Sequence, residues 1–196
     1  MGTNSERVTR LKAKIRNNKI KTTISLLLLV VYYFALPRQL FENNYSTVIE
    51  SQEGLLLGAK IASDGQWRFP ESDSVPYKFQ KCIVAFEDQY FYRHFGFNPI
   101  SMYDAFKQNK KANRVIRGGS TLTQQVIRLH RKGKSRSYFE KGIEIILATR
   151  LEFRHSKDRI LELYCAHAPF GGNVVGLEMA SWKYFGLQPH QLSWAE

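Results

Sequence analysis

A glutamate at the edge of an apolar stripe is the first candidate for chemistry in this chain. Glu87 follows a helical pattern of apolar residues and precedes the aromatic cluster of residues 90–92. Burial at such an edge would disfavour the charged carboxylate and suit the residue to proton transfer. From the pattern alone a solvated residue is the stronger alternative, because most acids lie on the surface. On the pattern alone, proton transfer by Glu87 is therefore the weaker of the two interpretations.

The second candidate is a glycine-rich, polar string at residues 118–125. Such a density of polar side chains is unusual for a core helix and typical of a groove that hydrogen-bonds sugars or phosphates. The polar side chains are Ser120, Thr121, Thr123, Gln124 and Gln125. The string predicts a helix capped by Ser120, whose N-terminal N–H groups favour anions. Arg128 follows on the same predicted helix and is the best candidate for a phosphate contact.

Cations surround this string. No acid interrupts the stretch from residue 107 to residue 136. Its ten basic residues are Lys107, Lys110, Lys111, Arg114, Arg117, Arg128, Arg131, Lys132, Lys134 and Arg136. The outer lysines are interpreted as solvated, with attraction to anionic lipid head groups as an added role. Further along, Lys141 and Glu144 share one predicted helix face, where an ion pair is the alternative to catalysis.

In this order and spacing, the strings resemble the signature motifs of the peptidoglycan glycosyltransferases (glycosyltransferase family 51). These are the lipid II polymerases, found alone or as the N-terminal domain of class A penicillin-binding proteins. The five positions of the first motif are filled by Glu87, Asp88, Phe91, His94 and Gly96. The string at residues 118–125 matches the second motif in full.

The later motifs match with departures. The third is usually arginine-lysine, two residues, then glutamate; Lys141 and Glu144 match it, but Glu140 stands in the arginine position. In the fourth region, Ala166 stands where many members carry asparagine. Residues 168–172, like residues 64–68, look most like the type 1C class A penicillin-binding proteins. The resemblance covers about residues 46–196 and ends before the family's domain would.

The resemblance implies a mostly α, lysozyme-like glycosyltransferase domain that polymerises lipid II and releases undecaprenyl pyrophosphate. Glu87 would be the general base, and Glu144 the second catalytic acid. The substrate-binding residues would be Asp88, His94, Gly119, Ser120, Thr121, Gln124, Gln125, Arg128 and Lys141. The implied partners are lipid II, the lipid-linked glycan strand, the membrane and, in a full-length protein, a transpeptidase domain. No protein metal site is implied, and a divalent cation, Mg²⁺ or Mn²⁺, stays open as a cofactor.

The N-terminal region is basic and then apolar. Residues 1–21 carry seven basic groups and one acid, half of the chain's formal net charge of +12. Residues 22–36 are uncharged and mostly apolar, and their basic flank predicts an uncleaved transmembrane anchor with the tail in the cytoplasm. We therefore expect a single-pass protein of the cell inner (plasma) membrane, with its catalytic domain facing the periplasm or the outside. A cleaved signal peptide and a buried core helix are the alternatives.

The rest of the chain divides into a small hairpin and a helical body. Residues 45–69 predict strands and turns and are interpreted as a β-hairpin linker. Residues 73–196 predict the glycosyltransferase domain, truncated at its C-terminal end. Its helices are predicted after a Ser74 cap, over residues 99–111, 120–130 and 138–153, after a Ser156 cap, and over residues 174–184. Cys82 and Cys165 are interpreted as small buried hydrophobes rather than a disulfide.

Several chemistries lack their residues in this sequence. It contains no Ser-x-x-Lys, no His-Glu-x-x-His, no zinc-type cysteine pair and no Walker loop. Two alternatives to the polymerase stay open: a glycan hydrolase on the same scaffold, and a non-enzymatic basic domain that binds membrane surfaces. The even split of charge between tail and body disfavours a nucleic-acid-binding domain.

Overall fold

The computed structural model is mostly helical, as the sequence predicts, with two small two-stranded sheets. It describes residues 4–72, 74–132, 134 and 137–196, with side chains from residue 18 onward. The side chains of most of the basic tail and the predicted cation Arg136 lie outside the described residues. The chain forms two compact units, residues 1–38 and residues 39–196, which we treat separately.

The first unit contains one continuous helix, α1, spanning Asn4–Tyr33. Apolar side chains from Ile20 to Phe34 are exposed along it, among them Leu27 and Leu28. Within the ranges that the structure describes, no helix combines the length and the apolarity that crossing a membrane requires. The transmembrane anchor predicted over residues 22–36 is therefore not confirmed.

The second unit begins with the predicted hairpin. Strand β1 (Thr47–Glu50) pairs antiparallel with β2 (Leu56–Lys60), and the register shifts between Ile49 and Glu50. Strand β3 (Trp67–Arg68) then pairs in parallel with β4 (Val174–Val175). This second pairing corrects the sequence analysis, which placed residue 174 at the start of the last helix.

A small apolar cluster joins the hairpin to the helical body. Phe69 from the β3 side packs with Val174, Met179 and Ala180, and hairpin residues including Val48 pack against that cluster. The segment interpreted as a linker thus lies in the same compact unit as the helices.

Six further helices make up the body. They are α2 (Tyr77–Glu87), α3 (Pro99–Ala112), α4 (Leu122–His130), α5 (Tyr138–Arg154), α6 (Lys157–His167) and α7 (Leu177–Phe185). The bounds of α3 and α5 agree closely with the prediction, and Ser156 caps α6 as expected. Two predicted caps are wrong: no side chain caps α2, and α4 is capped by Thr121, whose hydroxyl accepts a hydrogen bond from the N–H of Gln124.

Helix α4 lies at the centre of the helical body, packed between α5 and α6. Leu122, Val126 and Ile127 have no exposed surface, and they share the interior with Leu151 of α5 and Ile160 of α6. Complete burial of three aliphatic side chains on a short helix fixes its rotation, because turning it would expose them at about 1.5–3 kcal/mol each. The polar residues of α4 are therefore held at defined positions.

Glycines let the loops before α3 and α4 approach the helices closely. Gly96 has φ +82°, and a Cβ there would lie 2.7 Å from the backbone of Ala148 and of Thr149 on α5. At Gly119 a Cβ would lie 2.9 Å from the Cα of Met102 on α3. Both distances are too short for any larger residue without movement of the backbone. The glycines of the two motifs therefore set the walls of the site.

The cysteine prediction holds for one residue of the two. Cys165 is buried on α6, whereas Cys82 is exposed on α2, and both thiols are free.

Candidate active site

Glu87 is the last residue of α2, where the helix ends against α4. It is partly buried, and one carboxylate oxygen accepts a hydrogen bond of 2.8 Å from Nε2 of Gln125. Burial and the nearby charge of Glu87 raise the pKa of Tyr164 to about 12, so this phenol on α6 stays protonated beside the carboxylate. Glu87 therefore has a fixed orientation and retains a second carboxylate oxygen for other contacts.

Glu87 opens into a cleft of about 510 Å³, here called the Glu87 cleft. Its wall is formed by Tyr90 after α2, by residues 116–121 before α4, and by Gln125 and Arg128 on α4. The predicted base and the predicted phosphate contact thus line one cavity. Its volume lies in the range typical of ligand sites.

Arg128 is anchored to a carboxylate on α5. Its Nε and Nη2 donate to the two carboxylate oxygens of Glu144 at 2.8 and 2.9 Å, and Nη2 also lies 3.0 Å from Oγ of Ser120. The two bonds to one carboxylate form the bidentate geometry that fixes a guanidinium plane. Ser120 is therefore a ligand of Arg128 rather than the helix cap that the sequence suggested.

Lys141 on α5 completes this group. Its Nζ donates to Oγ of Ser120 at 2.9 Å and to Oε1 of Gln124 at 2.6 Å, and it lies 3.3 Å from Oε2 of Glu144. The ion pair considered in the sequence analysis is present, but the same ammonium also reaches across to α4. Two cations, a hydroxyl and a carboxylate are thus held together between α4 and α5.

A second cleft, of about 190 Å³, lies on the other side of this group and is here called the basic cleft. Its charged lining residues are Arg128, Arg131, Lys134, Lys141, Glu140 and Glu144. Ser120 and Arg128 line both clefts, so they form the wall that the two share. An anion bound in either the Glu87 cleft or the basic cleft can therefore contact Arg128.

Three of the predicted binding residues make their contacts inside the protein. Asp88 is 7% exposed and accepts hydrogen bonds from Nε2 of His94 at 2.9 Å and from the N–H of Leu122 at 3.0 Å. Thr121 donates to the carbonyl of Gly96 at 2.7 Å. These bonds tie the loop after α2 to the first turn of α4 and so position the site, and Asp88 and Thr121 also line the Glu87 cleft.

Gln124 is fully buried, as is Thr123 before it, whereas Gln125 after it lines the Glu87 cleft. Its Oε1 accepts from Lys141, while its Nε2 has no hydrogen-bond partner among the described residues. A buried amide nitrogen without a partner costs about 1–3 kcal/mol. The structure retains Gln124 at that cost, and the contact it makes holds the ammonium of Lys141.

Residues 56–196 match the sequence model of the transglycosylase family, which is more than half of the chain. The chain belongs to the transglycosylase family. The match begins within the hairpin and includes every motif residue of the two clefts. The resemblance drawn from the motifs is therefore confirmed.

Individual transglycosylase relatives agree with the family match. The chain is 40% identical over 164 residues to penicillin-binding protein 1C of Escherichia coli (strain K12), covering 82% of this chain and 21% of that protein. It is 32% identical over 166 residues to the biosynthetic peptidoglycan transglycosylase of Ralstonia nicotianae, covering 83% and 71%. The protein of the same name from Pasteurella multocida is 34% identical over 149 residues, covering 76% and 60%. The chain thus spans about one fifth of the length of the first relative.

Sequence reasoning missed a buried carboxylate that supports this transglycosylase site. Oε1 of Glu152 on α5 accepts from Oγ1 of Thr123 at 2.6 Å, from Nζ of Lys157 at 2.6 Å and from the N–H of Gly96 at 3.2 Å. This single oxygen connects α4, α6 and the loop after α2. A glutamate near the end of a helix gave no local signal of that role.

The ionised carboxylate of Glu144 should affect how the free energy of unfolding of the transglycosylase domain changes at acid pH. Burial acts to raise the pKa of Glu144, but hydrogen bonds and charges from Arg128 and Lys141 outweigh it and hold the pKa below the usual value. A lowered folded-state pKa stabilises the protein above the unfolded-state pKa, and the contribution is lost as the pH falls through the folded-state pKa. We expect the free energy of unfolding to fall less between about pH 5 and pH 3 in Glu144→Gln than in the wild type.

Urea unfolding followed by tryptophan fluorescence at a series of pH values measures this difference. Glu178 provides a matched control of opposite sign, because burial raises the pKa of its carboxyl. Because the folded-state pKa of Glu178 is raised, its protonation on acidification favours the folded state. Glu178→Gln removes that contribution, so its free energy of unfolding should fall more on acidification than that of the wild type. Parallel pH curves for the wild type and Glu144→Gln would contradict the charge assignment.

Proposed function

We propose that this transglycosylase domain polymerises lipid II into glycan strands and releases undecaprenyl pyrophosphate. The observation that carries the proposal is that Glu87 and Arg128 line one cleft, with Arg128 fixed by Glu144 and adjoined by Lys141. A base and an anion-stabilising group on one cavity can serve the two ends of a displacement reaction. Relatives named biosynthetic peptidoglycan transglycosylase support the assignment of substrate.

Glu87 acts on the acceptor. Its carboxylate takes the proton from the 4-hydroxyl of lipid II as that oxygen attacks the anomeric carbon of the donor, the lipid-linked glycan strand. The bond between the anomeric carbon and the pyrophosphate oxygen breaks, and its electron pair leaves with the pyrophosphate. Attack opposite the leaving group inverts the anomeric configuration, and no covalent sugar–enzyme intermediate forms. Gln125 keeps the carboxylate oriented during this transfer.

Arg128 and Lys141 act on the leaving group. Negative charge grows on the pyrophosphate as the bond breaks, and fixed cations stabilise such charge without reorganising at the moment of reaction. Glu144 is ionised and holds both cations, so we assign it a positioning role rather than that of a proton donor. Ser120 bridges the same two cations through its hydroxyl oxygen.

The residues present do not favour a protein-bound divalent cation at this point. Both carboxylate oxygens of Glu144 accept hydrogen bonds from Arg128, and one also pairs with Lys141. Within the described ranges, no three His, Cys, Asp or Glu side chains are grouped to ligate a metal. We derive no catalytic step through Mg²⁺ or Mn²⁺.

The membrane is the source of both substrates, because each carries a long lipid tail. We assign membrane attachment to the apolar segment of α1, whose side chains from Ile20 to Phe34 are exposed. Attachment there, in the inner membrane, would place the catalytic unit on the outer side of it. A transpeptidase domain elsewhere in a longer protein is proposed from the relation to penicillin-binding protein 1C.

Sedimentation with lipid vesicles tests the attachment. At high salt, where attraction of the basic tail is screened, the wild-type chain should pellet with vesicles of phosphatidylglycerol and phosphatidylethanolamine. A variant with Leu27→Asp and Leu28→Asp should bind at least about tenfold more weakly, because two apolar side chains no longer enter the lipid. Equal sedimentation of both proteins would rule out this segment as the anchor.

The activity itself is tested with purified lipid II and a gel that resolves glycan strands. Polymer formation with release of the lipid pyrophosphate supports the proposal. Cleavage of purified, lipid-free glycan without polymer formation would replace it with the hydrolase alternative.

A further inference from the structure

Two ion pairs along the basic cleft join α5 to α4 and to the residue that follows α4. The first is the Arg128–Glu144 pair already described. In the second, Nη2 of Arg131 donates to Oε2 of Glu140 at 3.0 Å, and Nε of Arg131 donates to Oε1 of the same carboxylate. The two arginines are three residues apart and the two glutamates four, so the pairs are separated by about one helical turn, ~5 Å.

Arg131 shares its cleft with the cations assigned to the leaving group. Arg128, Arg131, Lys134 and Lys141 line the basic cleft together with Glu140 and Glu144. The described lining residues therefore carry a formal excess of two positive charges, which matches the two negative charges of a pyrophosphate diester. The side chain of Arg131 is 23% exposed and that of Glu140 is 14% exposed, so both remain in contact with solvent at the cleft.

The pairing leaves part of each guanidinium free for a ligand. Arg128 and Arg131 both bind their glutamates through Nε and Nη2, and Nη1 of neither has a partner among the described residues. A guanidinium held in place by a carboxylate has already lost its conformational freedom, so it binds a second anion with a smaller entropic cost. Glu140 thus fixes Arg131 as Glu144 fixes Arg128.

We propose that Arg131 is a further substrate-binding residue that contacts the pyrophosphate of the lipid-linked donor, and that Glu140 is its positioning residue. This inference rests on the proposed function. It also explains the departure of this chain from the third motif: the residue at position 140 supplies no cation, and Arg131, directly after the facing helix, supplies one. Arg128 in the last turn of α4 and Arg131 directly after that helix then bind the two phosphates.

Isothermal titration of the full chain with inorganic pyrophosphate measures the contact directly. Arg131→Gln should weaken pyrophosphate binding about tenfold, which is the usual loss for one charge-assisted hydrogen-bonded contact. Lys183→Gln, which removes one exposed positive charge from α7, should leave the affinity unchanged. Equal affinity of Arg131→Gln and the wild type would overturn the proposal.

A double variant separates contact from net charge. Arg131→Gln combined with Glu140→Gln restores the formal charge of the cleft but lacks the guanidinium. The proposal predicts that its affinity for pyrophosphate stays as low as that of Arg131→Gln. Recovery to the wild-type affinity would show that only the net charge matters and would overturn the direct contact.

Melting temperature and polymer formation from lipid II are two further measurements. The first distinguishes substrate binding by Arg131 from a purely structural role, and the second tests the proposed function separately. If the Arg131–Glu140 pair has only a structural role, Arg131→Gln lowers the melting temperature. The affinity for pyrophosphate, measured at a temperature well below the melting temperature, is then unchanged, and that result contradicts the inference. If the wild type forms no polymer from lipid II, the proposed function fails, whatever the titration shows. If the wild type polymerises lipid II, and Arg131→Gln raises the KM for lipid II about tenfold with an unchanged melting temperature, the proposed function and the role of Arg131 are both supported.

Discussion

Replacing Glu87 with glutamine is expected to lower the rate of lipid II polymerisation by about 10³-fold while the fold stays intact. A positioned general base contributes about 10²–10⁴-fold to rate, and an amide cannot accept the proton. Glutamine has nearly the same shape, and its carbonyl oxygen can accept the hydrogen bond from Gln125 that Glu87 accepts at 2.8 Å. The loss should therefore fall on the chemical step, and kcat should fall much more than KM changes.

Glu53 offers a matched control for this variant. It is an exposed glutamate beside the hairpin turn, remote in sequence from both clefts. Glu53→Gln should polymerise lipid II at the wild-type rate, and circular dichroism should show unchanged melting temperatures for both variants. Activity of Glu87→Gln within about threefold of the wild type would remove Glu87 from the role of base.

Replacing Arg128 with glutamine should lower kcat by about 10²-fold. Loss of one preorganised donor at a developing charge costs about 10²–10³ in rate. The change also removes two bonds from Glu144, but Lys141 still pairs with that carboxylate, so the domain should remain folded. Arg128→Lys retains the charge but not the bidentate geometry, so its kcat should lie between those of the wild type and Arg128→Gln.

Rates at saturating lipid II and melting temperatures, measured on the same preparations, check this expectation. A normal kcat in Arg128→Gln would mean that the shared wall of the two clefts does not act on the leaving group. A lowered melting temperature with normal activity per folded molecule would assign Arg128 a purely structural role.

The helices and their caps were predictable where the signals are local. An asparagine before Pro99 caps α3, and Ser156 caps α6, because each side chain reaches N–H groups two or three residues ahead. For α4 the sequence predicted Ser120 as the cap, whereas the structure has Thr121 in that position. The choice follows from tertiary contacts: Thr121 bonds to the Gly96 loop, while Ser120 bonds to Arg128 and Lys141.

The errors arise from contacts between residues that are distant in the sequence. Val174 and Val175 follow a glycine pair and precede a helical pattern, but their pairing with β3 makes them a strand. The contact between the carboxylate of Asp88 and the N–H of Leu122, 34 residues away, was likewise not foreseen; substrate binding by Asp88 stays a prediction. No periodicity or spacing within either segment encodes these partners.

The composition of the site was predictable to a greater extent than its geometry. Motif resemblance placed Glu87, Arg128, Lys141 and Glu144 in one site, and the structure arranges them along two clefts with a common wall. The motif resemblance assigned no role to Arg131, because the proposed role depends on the carboxylate of Glu140 on the neighbouring helix α5. The sequence could register Glu140 only as a departure from the motif.

The central claim is that Glu87 activates the acceptor while the cations beside Arg128 accept the leaving pyrophosphate in one concerted displacement. The most direct measurement follows polymer formation and release of undecaprenyl pyrophosphate from lipid II in the same reaction, for the wild type and for Glu87→Gln. We expect the wild type to release one pyrophosphate carrier for each sugar bond formed, and Glu87→Gln to form both products about 10³-fold more slowly. Release of the carrier without polymer, or full polymer formation by Glu87→Gln, would contradict the central claim.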